Sequence, residues 1–220
     1  RTGPLMSTPV PWHLLPGPLV MIDLETTGTS ATHHRIVELA AVRKAPGEPT
    51  RVLHTLVDHG QQRVGATHIH GITRRMLDGA PGIDEVLPLL RRLCEGATMV
   101  AHNASFEHRF LRTEMDRCGG VWGMPRLCTL LLARRLHPER KGAGGHGLGG
   151  MARCYDIEVK AAHTALGDVR MMSAMLGQML RRFSEHERLP SALQESSRPA
   201  AEDWQWPEGG QQVRLKPRWG

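Results

Sequence analysis

Apolar residues run unbroken through Leu19-Val20-Met21-Ile22, the pattern of a strand covered on both faces. Two further strands are predicted at residues 36–42 and 52–57, with glycine and proline at 46–49 supplying the turn between them. Residues 83–94 change to helical spacing, with Ile83, Val86, Leu87, Leu90 and Leu93 on one side. A short strand follows at 98–101, then a helix over 103–118 that Asn103 is placed to cap. The last long periodic segment, 164–183, carries Leu166, Val169, Met172, Leu176, Met179 and Phe183 as its stripe, with Thr164 as its cap. Strands in a row, then strands mixed with helices, predict an α/β or α+β sheet covered by helices. No internal repeat is visible.

The ends read differently from the middle. Residues 1–16 hold four prolines and little periodicity, which predicts a flexible leader. The folded domain is expected over 17–185. Residues 186–220 are rich in Pro, Ser, Gln, Glu and Gly and are expected to be a disordered tail. That tail nevertheless carries Trp204, Trp206 and Trp219, either incidental or a docking peptide for a protein partner. Glycines between 142 and 150 lack a following Gly-Lys-Ser/Thr, so a mobile linker is expected there rather than a phosphate loop.

Composition narrows the class. Aromatic residues are only 4%, so aliphatic side chains and eleven methionines must fill the core. The net charge of +6 suits an anionic partner such as nucleic acid, although a basic surface by itself is no more than that. Basic and acidic residues balance five to five in 186–220, so the excess lies in the rest of the chain. Cys94, Cys118, Cys128 and Cys154 are widely spaced, which argues against a zinc site or disulfide framework and for a cytoplasmic protein with reduced thiols. No apolar run approaches a membrane span, and no signal-peptide pattern is visible in a chain that starts at Arg1.

The candidate chemistry is acidic. Asp23 and Glu25 close the first strand on one side of it, roughly 6–7 Å apart along the chain. Two carboxylates at the end of an apolar strand are costly unless compensated, and a divalent cation with oxygen ligands compensates them well. Taken alone, Asp-x-Glu also describes many solvated turns. Glu107 neighbours Phe106, Phe110 and Leu111 on its helix, which points it inward, with an amphipathic-edge position as the plainer alternative. Asp168 lies early on the last helix, and His163 precedes it on a loop, where an imidazole can exchange protons near neutral pH.

Asp-Leu-Glu-Thr-Thr-Gly, His-Asn-Ala-Ser-Phe-Glu and His-Thr-Ala-Leu-Gly-Asp occur in this order, joined by His70-Gly71-Ile72-Thr73. Together they resemble the DnaQ-like exonucleases with a histidine in the third acidic motif (the DEDDh branch of the RNase H-like superfamily), from about Pro18 to Phe183. The resemblance implies a five-stranded mixed sheet with helices on both faces. It implies two divalent cations, Mg²⁺ or Mn²⁺, held by Asp23, Glu25, Glu107 and Asp168, with His163 as general base. It implies 3′–5′ release of nucleoside 5′-monophosphates from DNA, or from RNA, which presents the same 3′ hydroxyl, in proofreading, repair or trimming. Leu24, Thr26 and Thr27 fall where the family packs the terminal nucleotide, and His70 and Asn103 at further substrate contacts. The low aromatic content favours a short grip on a single-stranded 3′ end over a long stacking groove.

Two positions depart from the family. An aspartate is usual where this chain has Glu107, whose extra methylene adds roughly 1.5 Å of reach to a site where Mg²⁺ tolerates little distortion. Gly149 and Gly150 fall where the family has a short firm helix and weaken it by roughly 1 kcal/mol each, so this segment is expected to order only on substrate. A binding or adaptor module that uses the same groove without turnover is the competing class.

Overall fold

Buried backbone groups in the apolar run at 19–22 need partners on both sides, and a sheet built around that run supplies them. A computed structural model describes residues 10–15, 17–142, 145–158, 163–202, 205 and 215–216. A 3-10 turn at Trp12–Leu14 leads into β1 (Leu19–Thr26), β2 (Ile36–Lys44) and β3 (Arg51–Leu56). Next come α1 (Thr67–His70), α2 (Arg74–Leu77), α3 (Ile83–Cys94), β4 (Thr98–Ala101) and α4 (Ala104–Arg117). The chain continues through β5 (Arg126–Cys128), α5 (Thr129–Leu136), α6 (Leu148–Cys154), α7 (Ala165–Phe183), α8 (Arg188–Ser196) and β6 (Ser197–Arg198).

The sheet order is β3-β2-β1-β4-β5-β6, so the apolar first strand is central. β2 pairs antiparallel with both β1 and β3, while β4 runs parallel to β1 and to β5. Side chains alternate across the sheet and feed two cores. Val20, Ile22 and Leu24 pack with the buried side chains of α3 and α4. Leu19 and Met21, with Ala40 and Val42 of β2, pack with those of α5, α6, α7 and α8. Nine of the eleven methionines are buried, so the thioethers do replace the missing aromatics as core filler. α7 is enclosed beyond its predicted stripe: Met171, Met175 and Leu180 are buried as well as Val169, Met172, Leu176 and Met179.

Several expectations need correction. The sheet has six strands rather than five, because β6 pairs antiparallel with the edge of β5. The segment after residue 185 is not all loose tail. α8 buries Leu189 and Ala192 in the α7-side core, and Arg135 of α5 binds Glu195 at 2.6 Å. Further along, the Leu56 N–H donates to the Lys216 carbonyl at 2.8 Å. In the expected leader, Leu15 is buried, Val10 and Trp12 pack against the same core, and Lys44 sits over the Trp12 ring. Neither segment carries a periodic apolar pattern, so the few apolar side chains that anchor them do not stand out. Trp204, Trp206 and Trp219 lie outside the described residues.

Local signals also differ in detail. Thr164 caps α7 as predicted, its Oγ1 accepting from the Gly167 N–H. Asn103 precedes α4 in a left-handed conformation and makes no side-chain cap; its Oδ1 accepts from Ser105 Oγ instead. α6 forms despite Gly149 and Gly150, because Met151 and Ala152 are buried and tertiary packing outweighs propensity. The four cysteines are free thiols, and no helix among the described residues is long and apolar enough to cross a membrane.

The docking of α8 is directly testable. Leu189 is 2% exposed, so Leu189→Ala should cost about 2–3 kcal/mol and lower the melting temperature by about 5–10 °C. A melting temperature within 1 °C of wild type would show that α8 does not pack there in solution.

Candidate active site

β1 continues past its apolar half, and its register against β2 breaks only between Glu25 and Thr26. Asp23 and Glu25 therefore keep strand alternation with Leu19 and Met21 and face α7. Asp168 comes to meet them from the first turn of α7. Ligand oxygens of Asp23, Glu25 and Asp168 lie within 4.8 Å of one another. Glu107 stands outside that trio but lines the same cleft, of about 260 Å³, together with His163. The predicted acids and histidine, scattered over 146 positions from 23 to 168, thus line one cleft.

The predicted substrate contacts divide. Leu24, Thr26 and His70 line the cleft. Thr27 and Asn103 do not. Thr27 is buried, with its Oγ1 accepting from the Arg35 N–H, and so braces the turn after β1. Asn103 lines a neighbouring pocket on α4. His70 is oriented by its own loop, its Nδ1 accepting from the Ile72 N–H at 2.9 Å. His102 has a structural role: it bonds Thr129 Oγ1 and the His146 carbonyl, and burial holds its pKa down at about 4.

Backbone strain gathers around the cleft. Four described non-glycine residues have positive φ, and two of them, Ala66 and His163, line it; a third, Asn103, opens α4. Such conformations persist where surrounding structure enforces them. The left-handed turn at His163 delivers its imidazole to the cleft, and its backbone bonds the Asp168 carboxylate. Gly65 shows why the loop before α1 must be glycine. Its φ is +62°, and a Cβ there would lie 2.2 Å from the Thr27 carbonyl oxygen. That contact brings Ala66 and Ile69 over the end of β1.

The site carries uncompensated negative charge. Burial, then the charges of Glu107, Asp168, Glu25 and Glu38, push the Asp23 carboxyl well above its ordinary range. Asp168 is also raised, mainly by burial, with His163 opposing. Glu107 is 4% exposed, has no partner for Oε2 among the described residues, and is lifted by burial to about 8. Glu38 is the residue that sequence reading missed. It is fully buried in β2, bonds His54 Nε2 at 2.7 Å, and accepts from the Ala165 N–H at the start of α7. Its signal was there: a lone acid inside Ile36-Val37-Glu38-Leu39-Ala40-Ala41-Val42. Hard divalent cations fit this set of oxygens, including the orphaned Oε2 of Glu107.

Fold and site together define a nuclease-type acidic cleft, able to hold a metal ion, on an RNase H-like sheet. The chain belongs to the exonuclease family RNase_T, which it matches over residues 20–176, and within it to the DnaQ-like exonucleases. It is 35% identical over 176 residues to a PolC-type DNA polymerase III of Halalkalibacterium halodurans, covering 79% of this chain but 12% of the polymerase. The chain thus spans about an eighth of that relative. Among solved structures it resembles exonuclease X in complex with 5′ overhanging duplex DNA, at 26% identity and TM-score 0.60, covering 80% of this chain and 99% of that one. It also shares its fold with E. coli exonuclease I in complex with a dT13 oligonucleotide, at 20% identity and TM-score 0.61, covering 77% of this chain and 42% of that one.

Glu107 gives a prediction independent of turnover. In the metal-free protein its folded pKa, about 8, exceeds its ordinary value of 4.5. The unfolded chain releases that proton first, so stability falls as pH rises from about 4.5 to about 8. Glu107→Gln removes the buried charge and should raise the stability of the metal-free protein at pH 8 by about 2 kcal/mol. Thermal melts in chelator at pH 5 and pH 8 read this out; an equal effect at both values would sink it.

Proposed function

We propose that this chain is a metal-dependent 3′–5′ exonuclease that releases nucleoside 5′-monophosphates from single-stranded 3′ ends, DNA before RNA. The observation that carries the reading is the convergence of Asp23, Glu25 and Asp168 within 4.8 Å, in a cleft shared with Glu107 and His163. Asp23, Glu25, Glu107 and Asp168 would hold two divalent cations, which when bound neutralise the carboxylates and stabilise charge developing on the phosphate. Leu24, Thr26 and Ile69 form the wall against which the terminal nucleotide packs. His163, exposed at the cleft mouth, takes the proton of the attacking water. Its position is set by the left-handed turn and by the bond between its backbone and Asp168. His70 also lines the cleft, as a contact for the terminal phosphate or sugar.

The polymerase relative supports a proofreading role, in which a frayed, mispaired 3′ end is what enters so small a cleft. Only a few unstacked nucleotides fit, since Phe106 is the one aromatic side chain among the described residues that line it.

Strands labelled at either end, with Mg²⁺ or Mn²⁺, test the reading. Mononucleotides should leave from the 3′ end, faster from mismatched than from matched primers, and chelator should abolish the reaction. Asp23→Ala and His163→Ala should each lower kcat at least about a hundredfold. Glu107→Ala should fall similarly, and Glu107→Asp should retain activity. Wild-type rates for Asp23→Ala would overturn the site, and mononucleotides released first from the 5′ end would overturn the polarity.

A further inference from the structure

A second pocket, again about 260 Å³, lies across the first turn of α4 from the catalytic cleft. Phe106 and Glu107 line the cleft; Asn103 and Ser105, on the same turn, line this pocket. Its other walls bring together Arg126 from β5, Arg134 from α5, and Ser196 and Arg198 from the α8–β6 corner. None of the described residues lining it is acidic. Arg126 and Arg198 are directly paired across the strands, a like-charge juxtaposition that is unfavourable without an anion.

The positive charge is not consumed internally. Among the described residues, no hydrogen bond or ion pair engages the guanidinium of Arg126 or Arg134. Arg198 is steadied by the carbonyls of Glu195 and Ser197, which leave its charge uncompensated. A separate observation also points to a ligand. Ser196 is 2% exposed and lines the pocket, yet its Oγ has no hydrogen-bond partner among the described residues. A buried hydroxyl without a partner is uncommon and costs stability. Three guanidiniums and the Ser196 hydroxyl offer donors that an anion uses fully, and guanidinium forks match phosphate oxygens. Among the described residues no aromatic ring lines the pocket, which suits backbone rather than stacked bases.

We propose that the pocket formed by Ser105, Arg126, Arg134, Ser196 and Arg198 binds a backbone phosphate of the nucleic-acid strand whose 3′ end occupies the cleft. The assignment rests on the exonuclease reading for its ligand. It goes beyond that reading because Ser196 and Arg198 lie outside the family match at 20–176, in the corner that α8 and β6 add. A helix is roughly 10–12 Å across with its side chains. The strand therefore reaches the pocket by bending around the start of α4, and only a substrate longer than its terminal nucleotide can use it.

The test compares wild type with the double variant Arg134→Gln/Arg198→Gln, both positions exposed. One substrate is a single-stranded oligonucleotide of about ten residues. The other is the 4-nitrophenyl ester of thymidine 5′-monophosphate, which fills the cleft alone. The variant should raise KM for the oligonucleotide about tenfold at unchanged kcat. Its salt dependence should be shallower by about 0.7 in log–log slope, for the one phosphate no longer neutralised. Hydrolysis of the ester should track wild type, which also reports correct folding. Fluorescence anisotropy with the same oligonucleotide in chelator gives the same ratio as Kd without turnover. Oligonucleotide KM and Kd within twofold of wild type would overturn the proposal. So would loss of inorganic phosphate binding with no change in oligonucleotide affinity, since the pocket would then serve free anions. A wild type that cleaves neither substrate would instead count against the exonuclease reading, and anisotropy would still decide the pocket.

Discussion

Mutual repulsion among carboxylates at the end of β1 is the constraint around which this molecule is arranged. Asp23, Glu25 and Asp168 crowd within 4.8 Å, Glu107 is buried beside them, and Glu38 adds its field from β2. Water is the usual remedy for such crowding, but the β1 strand is covered on both faces and much of the set is desolvated. Protonation is the second remedy, visible in the raised carboxyl groups of Asp23, Glu107 and Asp168. Cations are the third, and a divalent ion would keep the carboxylates ionised by taking their oxygens as ligands. Cation binding would relieve that repulsion.

The scaffold tolerates that state because its rigid parts are elsewhere. Two cores, one on each face of the sheet, clamp β1 before it reaches Asp23. Glu38 then joins three elements at once: it sits in β2, bonds His54 of β3, and accepts from the first N–H of α7. A helix N-terminus favours negative charge, so one contact both steadies Glu38 and fixes where Asp168 begins. The left-handed residues Ala66, Asn103 and His163 turn α1, α4 and the α7 loop toward the same end of the sheet.

Legibility in the sequence follows the range of the forces involved. α3 and β4 match their predicted limits residue for residue, since a local apolar period and its flanking breakers decide both. β5, α5 and α8 were not legible. β5 is three residues long and exists because β4 and β6 pair with it; α8 is helical where Leu189 and Ala192 find the α7-side core. Asn103 was read as a cap from its residue type, but its left-handed backbone turns the side chain toward Ser105. The site was legible as residues, because acids within apolar runs stand out. Its partition was not: Thr27 and Asn103 sit within the motifs and yet outside the cleft. Glu38 was missed because a single buried acid on a strand without a motif looks like patterning noise until its partners are seen.

Glu107 shows what one methylene does in such a site. Asp23 and Glu25 face α7, whereas α4 packs in the opposite core through Ala104, Phe110 and Leu111. Its carboxylate must therefore come around the end of the sheet to join the others. The packing of Ala104, Phe110 and Leu111 against β1 in that core fixes how far α4's first turn stands from the strand. With that distance set by packing, an aspartate would stop roughly 1.5 Å shorter, about one carbon–carbon bond. The glutamate reaches further into the cleft, although its carboxylate still stands outside the trio, and its side chain has an additional rotatable bond. Ordering that bond costs conformational entropy, within the roughly 1.5–2 kcal/mol for a fully fixed glutamate. An aspartate site has this reach built into its backbone. Under the proposed two-cation reading, part of that reach would be supplied when the cations bind, and they would then organise Glu107 as much as Glu107 would hold them.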